Sequence, residues 1–126
     1  MSSASTTIGY HHVSLLVSDL DRAARFYEGG LGLAVKGRPE QYTRVRWYSI
    51  GVGQELHLIR SDELPSKNEG HPALEVTDIR AAAAACLENG GTLQQDTFAR
   101  PHDGSLSAFV RDPDGNLIEL VQHSRL

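Results

Sequence analysis

Four residues of this 126-residue chain carry side chains able to share a metal ion: His12, His57, His71 and Glu119. Imidazole nitrogen and carboxylate oxygen suit zinc, iron, nickel, cobalt or manganese. Three or four such ligands on neighbouring strands could hold one divalent ion and leave a position open for water or substrate. That open position separates a catalytic site from a closed structural one. An ion so held acts as a Lewis acid on a substrate oxygen. Taken singly, each residue has a plainer explanation. A lone histidine in a strand is more often hydrogen-bonded or at the surface, and Glu119 fits a solvent-facing carboxylate on an amphipathic sheet.

What sets the four apart is that their surroundings recur. HVSLLVSD at 12–19 is echoed by HPALEVTD at 71–78, and the match continues into the following segment: Leu20 falls on Ile79, Ala23 on Ala82, Ala24 on Ala83. A second match sets Leu56–His57–Leu58–Ile59 on Ile118–Glu119–Leu120–Val121. An internal repeat of this kind signals a duplicated supersecondary unit. The four candidates then occupy the first and last strand of each copy.

The elements that must position them follow from periodicity. Val13, Leu15 and Val17 share one strand face, as do Leu74 and Val76, and each histidine lies on the opposite parity. Asp19 and Asp78 are helix N-caps, since a short side-chain oxygen accepts from the free N–H groups of the first turn. Leu20, Ala23, Ala24 and Tyr27 form the buried stripe of the first helix, which stops at Gly29–Gly30. Ile79, Ala82, Ala83 and Cys86 do the same in the second, which stops at Asn89–Gly90–Gly91. Strand material follows each helix, at 33–37, 42–50 and 54–60 in the first copy and at 92–97, 105–111 and 116–122 in the second. DPDGN at 112–116 marks the last turn, which makes Asp112 and Asp114 turn residues. The reading is an α+β fold of two βαβββ modules, 9–60 and 71–122, joined by a polar linker at 61–70 and preceded by a disordered tail at 1–8.

At HHVSLLVSDLDRAARFYEGGLGL (11–33), ELHLI (55–59), HPALEVTDI (71–79) and FVRDPDGNLIEL (109–120) the sequence resembles the vicinal oxygen chelate superfamily, the glyoxalase, bleomycin-resistance and extradiol-dioxygenase group. The resemblance implies a curved mixed sheet around a metal-binding cleft, with helices on the outer face. It places the family's ligand positions on His12, His57, His71 and Glu119, around one divalent ion. It also implies a homodimer, with the cleft formed within one chain or between two. The activity it favours is a glyoxalase I-like lyase or isomerase acting on a small substrate with adjacent oxygens. An Fe(II) extradiol-type dioxygenase and a metal-free drug-binding resistance protein are the alternatives. The low aromatic content, 6%, argues against the aromatic groove of the bleomycin-binding members.

Further residues are candidates for the chemistry. Glu119 is the first choice of base. Glu55 and Glu75 share strand parity with His57 and His71, so they too are candidates, although both also fit exposed surface carboxylates. Arg44, Arg46 and Tyr48 share one strand face and would bind an anionic substrate if that face lines the cleft. Trp47, on the other parity, is expected to pack. His11 is expected at the surface and His102 in a loop.

Composition bounds the rest. Twelve basic against 16 acidic residues, with no basic patch, argue against nucleic acid. The apolar runs are strand-sized, short of a membrane span. The first eight residues lack the basic start and apolar stretch of a secretion signal. Cys86 is the only cysteine, so no intrachain disulfide forms, which fits a cytoplasmic protein.

Overall fold

The computed structural model describes residues 4–65 and 69–123. Residues 1–3 of the expected tail and 66–68 of the expected linker lie outside them; residues 4–11 are exposed and carry no helix or strand.

The first copy runs β1 (His12–Val17), α1 (Leu20–Ala24) with a π-helical continuation (Arg25–Gly30), β2 (Ala34–Lys36), β3 (Val45–Ile50) and β4 (Gln54–Arg60). The second runs β5 (Ala73–Glu75), α2 (Ile79–Glu88), β6 (Thr92–Ala99), β7 (Leu106–Arg111) and β8 (Leu117–Gln122). The two βαβββ modules of the α+β fold are therefore present. They form two four-stranded sheets, β1-β4-β3-β2 and β5-β8-β7-β6, with the same strand order. In each, the first strand is an edge that runs parallel to the last, and the other pairs are antiparallel. No helix among the described residues is long and apolar enough to cross a membrane.

Both expected caps form. Asp19 accepts from the Arg22 amide at 2.9 Å and Asp78 from the Ala81 amide at 3.1 Å. Past Ala24 the first helix widens, and the Leu31 amide bonds the Phe26 carbonyl five residues back. The wider turn brings Phe26 and Tyr27 into the core together, whereas a regular helical stripe selects Tyr27 without Phe26. The α2 helix ends as expected, with Gly90 at φ +95°, a left-handed conformation glycine adopts without strain.

One core serves both modules. It joins Val17, Tyr48, Leu56 and Leu58 from the first sheet to Ala108, Val110, Ile118 and Leu120 from the second, through the helices between them. Each large apolar side chain so buried contributes roughly 1.5–3 kcal/mol. The helices meet closely where side chains are absent. A Cβ on Gly30 would stand 3.1 Å from the Cys86 Cα, and one on Gly91 would stand 2.5 Å from the Phe26 ring.

Candidate active site

Strand parity decides which residues share the face turned away from the helices. In β1, Val13, Leu15 and Val17 pack toward the core and His12 and Ser14 point the other way. Ser14 lies opposite His57, and across the β3–β4 hairpin Trp47 also lies opposite His57. In the second module Ala73 lies opposite Glu119, and so does Phe109. The register therefore makes His57 and Glu119 equivalent, with His12 and His71 each two residues before Ser14 and Ala73. Trp47 and Phe109 are the matching aromatic residues of the third strands.

In the first module the rings form a column. The His12 and His57 centroids are 4.0 Å apart with planes 18° apart, and Trp47 covers the other face of His57 at 4.5 Å and 14°. His57 is only 9% exposed. Its Nε2 lies 2.8 Å from Glu55 Oε1, and Lys36 forms an ion pair with the other Glu55 oxygen. The Lys36 and His57 bonds hold the Glu55 carboxyl down at about 2. Trp47, expected to pack, does so against His57. His11 meets His12, Nδ1 to Nδ1, at 2.8 Å.

The second module carries the more informative pair. His71 Nδ1 lies 2.6 Å from the Glu69 carbonyl oxygen. A carbonyl only accepts, so this nitrogen carries the proton. His71 Nε2 then faces Glu119 Oε1 at 3.0 Å. Neutral imidazole and an ionised carboxylate would set two acceptors against each other there, so the contact calls for a proton or a metal ion between them. The Glu69 carbonyl, opposed by desolvation and helped by Glu119, raises the His71 pKa. Glu119 Oε2 accepts from Ser107 Oγ at 3.0 Å, and Arg100 Nη1 approaches it at 3.5 Å. A carbonyl that holds one imidazole nitrogen and leaves the other aimed into the site is the support a metal ligand ordinarily has. The donor pair fits a divalent ion on these grounds.

The candidates do not all converge. Among the described residues no group of three or more His, Cys, Asp or Glu side chains is placed to hold one ion. The four candidates stand as two pairs, His12 with His57 and His71 with Glu119. His12, Glu55 and His71 do line a common cleft of about 640 Å³ between the modules, floored by Leu15, Ile50 and Leu74.

Arg44, Arg46 and Tyr48 are turned away from the histidines. Tyr48 lies opposite Leu56 and Arg46 opposite Leu58, both core positions. Tyr48 Oη donates to Glu28 Oε2 at 2.8 Å, and Arg46 Nη1 bonds the same oxygen at 3.0 Å. Burial, and then Glu28, raises the Tyr48 pKa. Arg44 bonds the Arg60 carbonyl at 3.3 Å. The condition for anion binding, that this face lines the histidine cleft, is not met for Arg46 and Tyr48, which the register sets on the core side. Glu75 is half-exposed, with His123 Nε2 at 3.8 Å. His102 lies in the expected loop, beside Arg100 at 3.2 Å.

Sequence reasoning missed Trp47, Phe109, Ser107 and Arg100 as neighbours of the candidate ligands. A signal existed for two of them. Hairpins centred on residues 52 and 114 set position 47 opposite 57 and position 109 opposite 119.

The model of the Glyoxalase/Bleomycin resistance protein/Dioxygenase superfamily matches residues 9–120. A lactoylglutathione lyase from Haemophilus influenzae is 30% identical over 122 residues, covering 89% of this chain and 90% of that one. Among solved structures, a glyoxalase-related enzyme from Fulvimarina pelagi superposes with TM-score 0.75 at 24% identity, over 91% of this chain and 88% of that one. The fosfomycin resistance protein FosX from Mesorhizobium loti gives 0.75 at 20% identity, over 94% and 95%. At these identities the two structures speak for the fold alone.

Proposed function

The chain belongs to the glyoxalase/bleomycin resistance protein/dioxygenase superfamily, and from that premise we propose that it is a metal-dependent lyase or isomerase of the glyoxalase type, acting on a small substrate with adjacent oxygens. The observation that carries this reading is the His71–Glu119 contact, with its tautomer set by the Glu69 carbonyl. The relatives named lactoylglutathione lyase support the reaction class.

In this reading His12, His57, His71 and Glu119 hold one divalent ion: zinc, nickel, iron, cobalt or manganese. Bound there, the ion supplies Lewis-acid polarisation of a substrate oxygen. Because one chain brings its ligands together only in pairs, the set is completed by a second copy, the first-module pair of one chain meeting the second-module pair of the other. The homodimer is thus part of the proposal. His71 presents Nε2 because Nδ1 is committed to Glu69. Glu119 would be the base once its Oε1 is released from the ion, with Ser107 and Arg100 keeping Oε2 oriented while Oε1 takes the proton. Glu55 fits that role poorly, because a carboxylate held at about 2 is a weak proton acceptor. It orients His57 instead. Trp47 and Phe109 wall the two half-sites.

A metal-free binding protein is the second reading, and the Glu55–His57–Trp47 contacts favour it, since they already occupy much of His57. Metal analysis of the full chain purified without chelator separates the two, followed by an assay of glutathione hemithioacetal isomerisation. The proposal expects about one divalent ion per chain and metal-dependent turnover. A protein without stoichiometric metal contradicts it. Oxygen uptake with catechols would move the assignment to a dioxygenase.

A further inference from the structure

The chain has few aromatic residues, but the fold distributes them unevenly. Phe26, Tyr27 and Tyr48 are core. Four of the others, Tyr42, Trp47, Phe98 and Phe109, gather on or beside the histidine-bearing faces. Phe98 and Phe109, from neighbouring strands, have near-parallel rings, 9° apart with centroids separated by 6.4 Å. Phe109 meets His71 edge-on at 5.2 Å. The two rings therefore make an apolar shelf that ends at a candidate ligand.

A cation stands at the side of the shelf. Arg100 lies just past the end of β6, two residues after Phe98, and reaches Glu119 on the same side. Its three side-chain contacts, 3.2 Å to His102 Nε2, 3.5 Å to Glu119 and 3.9 Å to Asp103, are all longer than the roughly 2.7–2.9 Å of a close charge-assisted bond. Its side chain remains 31% exposed. Guanidinium has five donors in a planar fork suited to carboxylate, and these contacts leave some of them available.

We propose that the substrate of this site carries a planar ring and an anionic group, the ring lying on the Phe98–Phe109 shelf and the anion meeting Arg100. The proposal rests on the reading that the histidine-bearing faces receive the substrate, and it adds what that substrate is. Aromatic rings pair favourably with other rings in offset or edge-on arrangements. A guanidinium beside an apolar shelf selects a ligand with both features over one with either.

Calorimetric titration of the full-length protein tests this with three probes: phenylglyoxylate (ring and anion), pyruvate (anion without ring) and acetophenone (ring without anion). Phenylglyoxylate should bind about tenfold more tightly than pyruvate. Arg100→Gln should weaken phenylglyoxylate about tenfold and leave acetophenone unchanged, while Arg100→Lys retains most of the affinity for the anion. Phe98→Ala should abolish the preference for phenylglyoxylate over pyruvate. Equal binding of phenylglyoxylate and pyruvate, no binding of any probe, or an Arg100→Gln protein with unchanged affinity for phenylglyoxylate overturns the proposal. The titration is run on metal-stripped and metal-loaded protein. Metal uptake without ring preference defeats this proposal and spares the metalloenzyme reading. Ring preference without metal uptake does the reverse.

Discussion

Tyr27 donates its phenol to Asp112 at 2.7 Å, tying the first module's helix to the last turn of the second. Asp112 is 3% exposed and also accepts from the amides of Asp114 and Asn116 and from Asn116 Nδ2. Three further residue pairs join the same parts of the chain. Asp114 accepts from Ser18 and Arg22, and Asn116 Nδ2 donates to the Leu16 carbonyl. The DPDGN stretch is thus a turn that clasps β1 and α1. The clasp ties the two modules together through that turn.

Breaking the clasp should cost stability in a graded way. Tyr27→Phe removes one hydrogen bond to a buried carboxylate and should destabilise by about 1.5–3 kcal/mol. Asp112→Ala should cost more, because it also leaves the Asp114 and Asn116 donors without their acceptor. Urea denaturation midpoints of the two variants check the order.

Gly91 is a packing requirement. A methyl there would stand 2.5 Å from the Phe26 ring and 2.9 Å from the carbonyl oxygens of Arg111 and Cys86. Two of those three neighbours are backbone, which moves only with its element. Gly91→Ala should therefore destabilise by about 1–3 kcal/mol or more. A loss of thermal midpoint well beyond that of Gly37→Ala, which meets nothing within 4 Å and has no left-handed backbone to strain, is the expected result.

Cys86 should report global unfolding. It is fully buried between the helices, and burial pushes its thiol up to about 11. The thiolate is the nucleophile, so at pH 8 the folded protein offers little of it and no access to it. Disulfide-exchange labelling at pH 8 should be slow in the native state and accelerate through the urea transition. Raising the pH toward 11 should increase the native rate only as far as burial allows.

Much of the fold was legible because it depends on local chemistry. The strand parity, the Asp19 and Asp78 caps and the duplicated element order follow from short-range patterns, and the register bears out the matching of His57 with Glu119. Three things were not legible. The π-helical widening that buries Phe26 has no periodic signature in so short a segment. The face of Arg46 and Tyr48 was readable as a face but not as the core side, which needs the helix that covers it. The clasp at Asp112 depends on partners 85 residues away in sequence, beyond any local rule.

The central claim is that each metal site combines the first-module pair of one chain with the second-module pair of another. Mixing two defective variants tests it most directly. His12→Ala disables one pair and Glu119→Gln the other, and each variant alone should bind no stoichiometric metal. In a mixed dimer one site collects both defects and the other collects none. Unfolding and refolding the two together should therefore restore metal to about a quarter of all sites. If metal content stays at the level of the separate variants while mixed dimers are demonstrably present, the sites are not shared between chains and the account is contradicted.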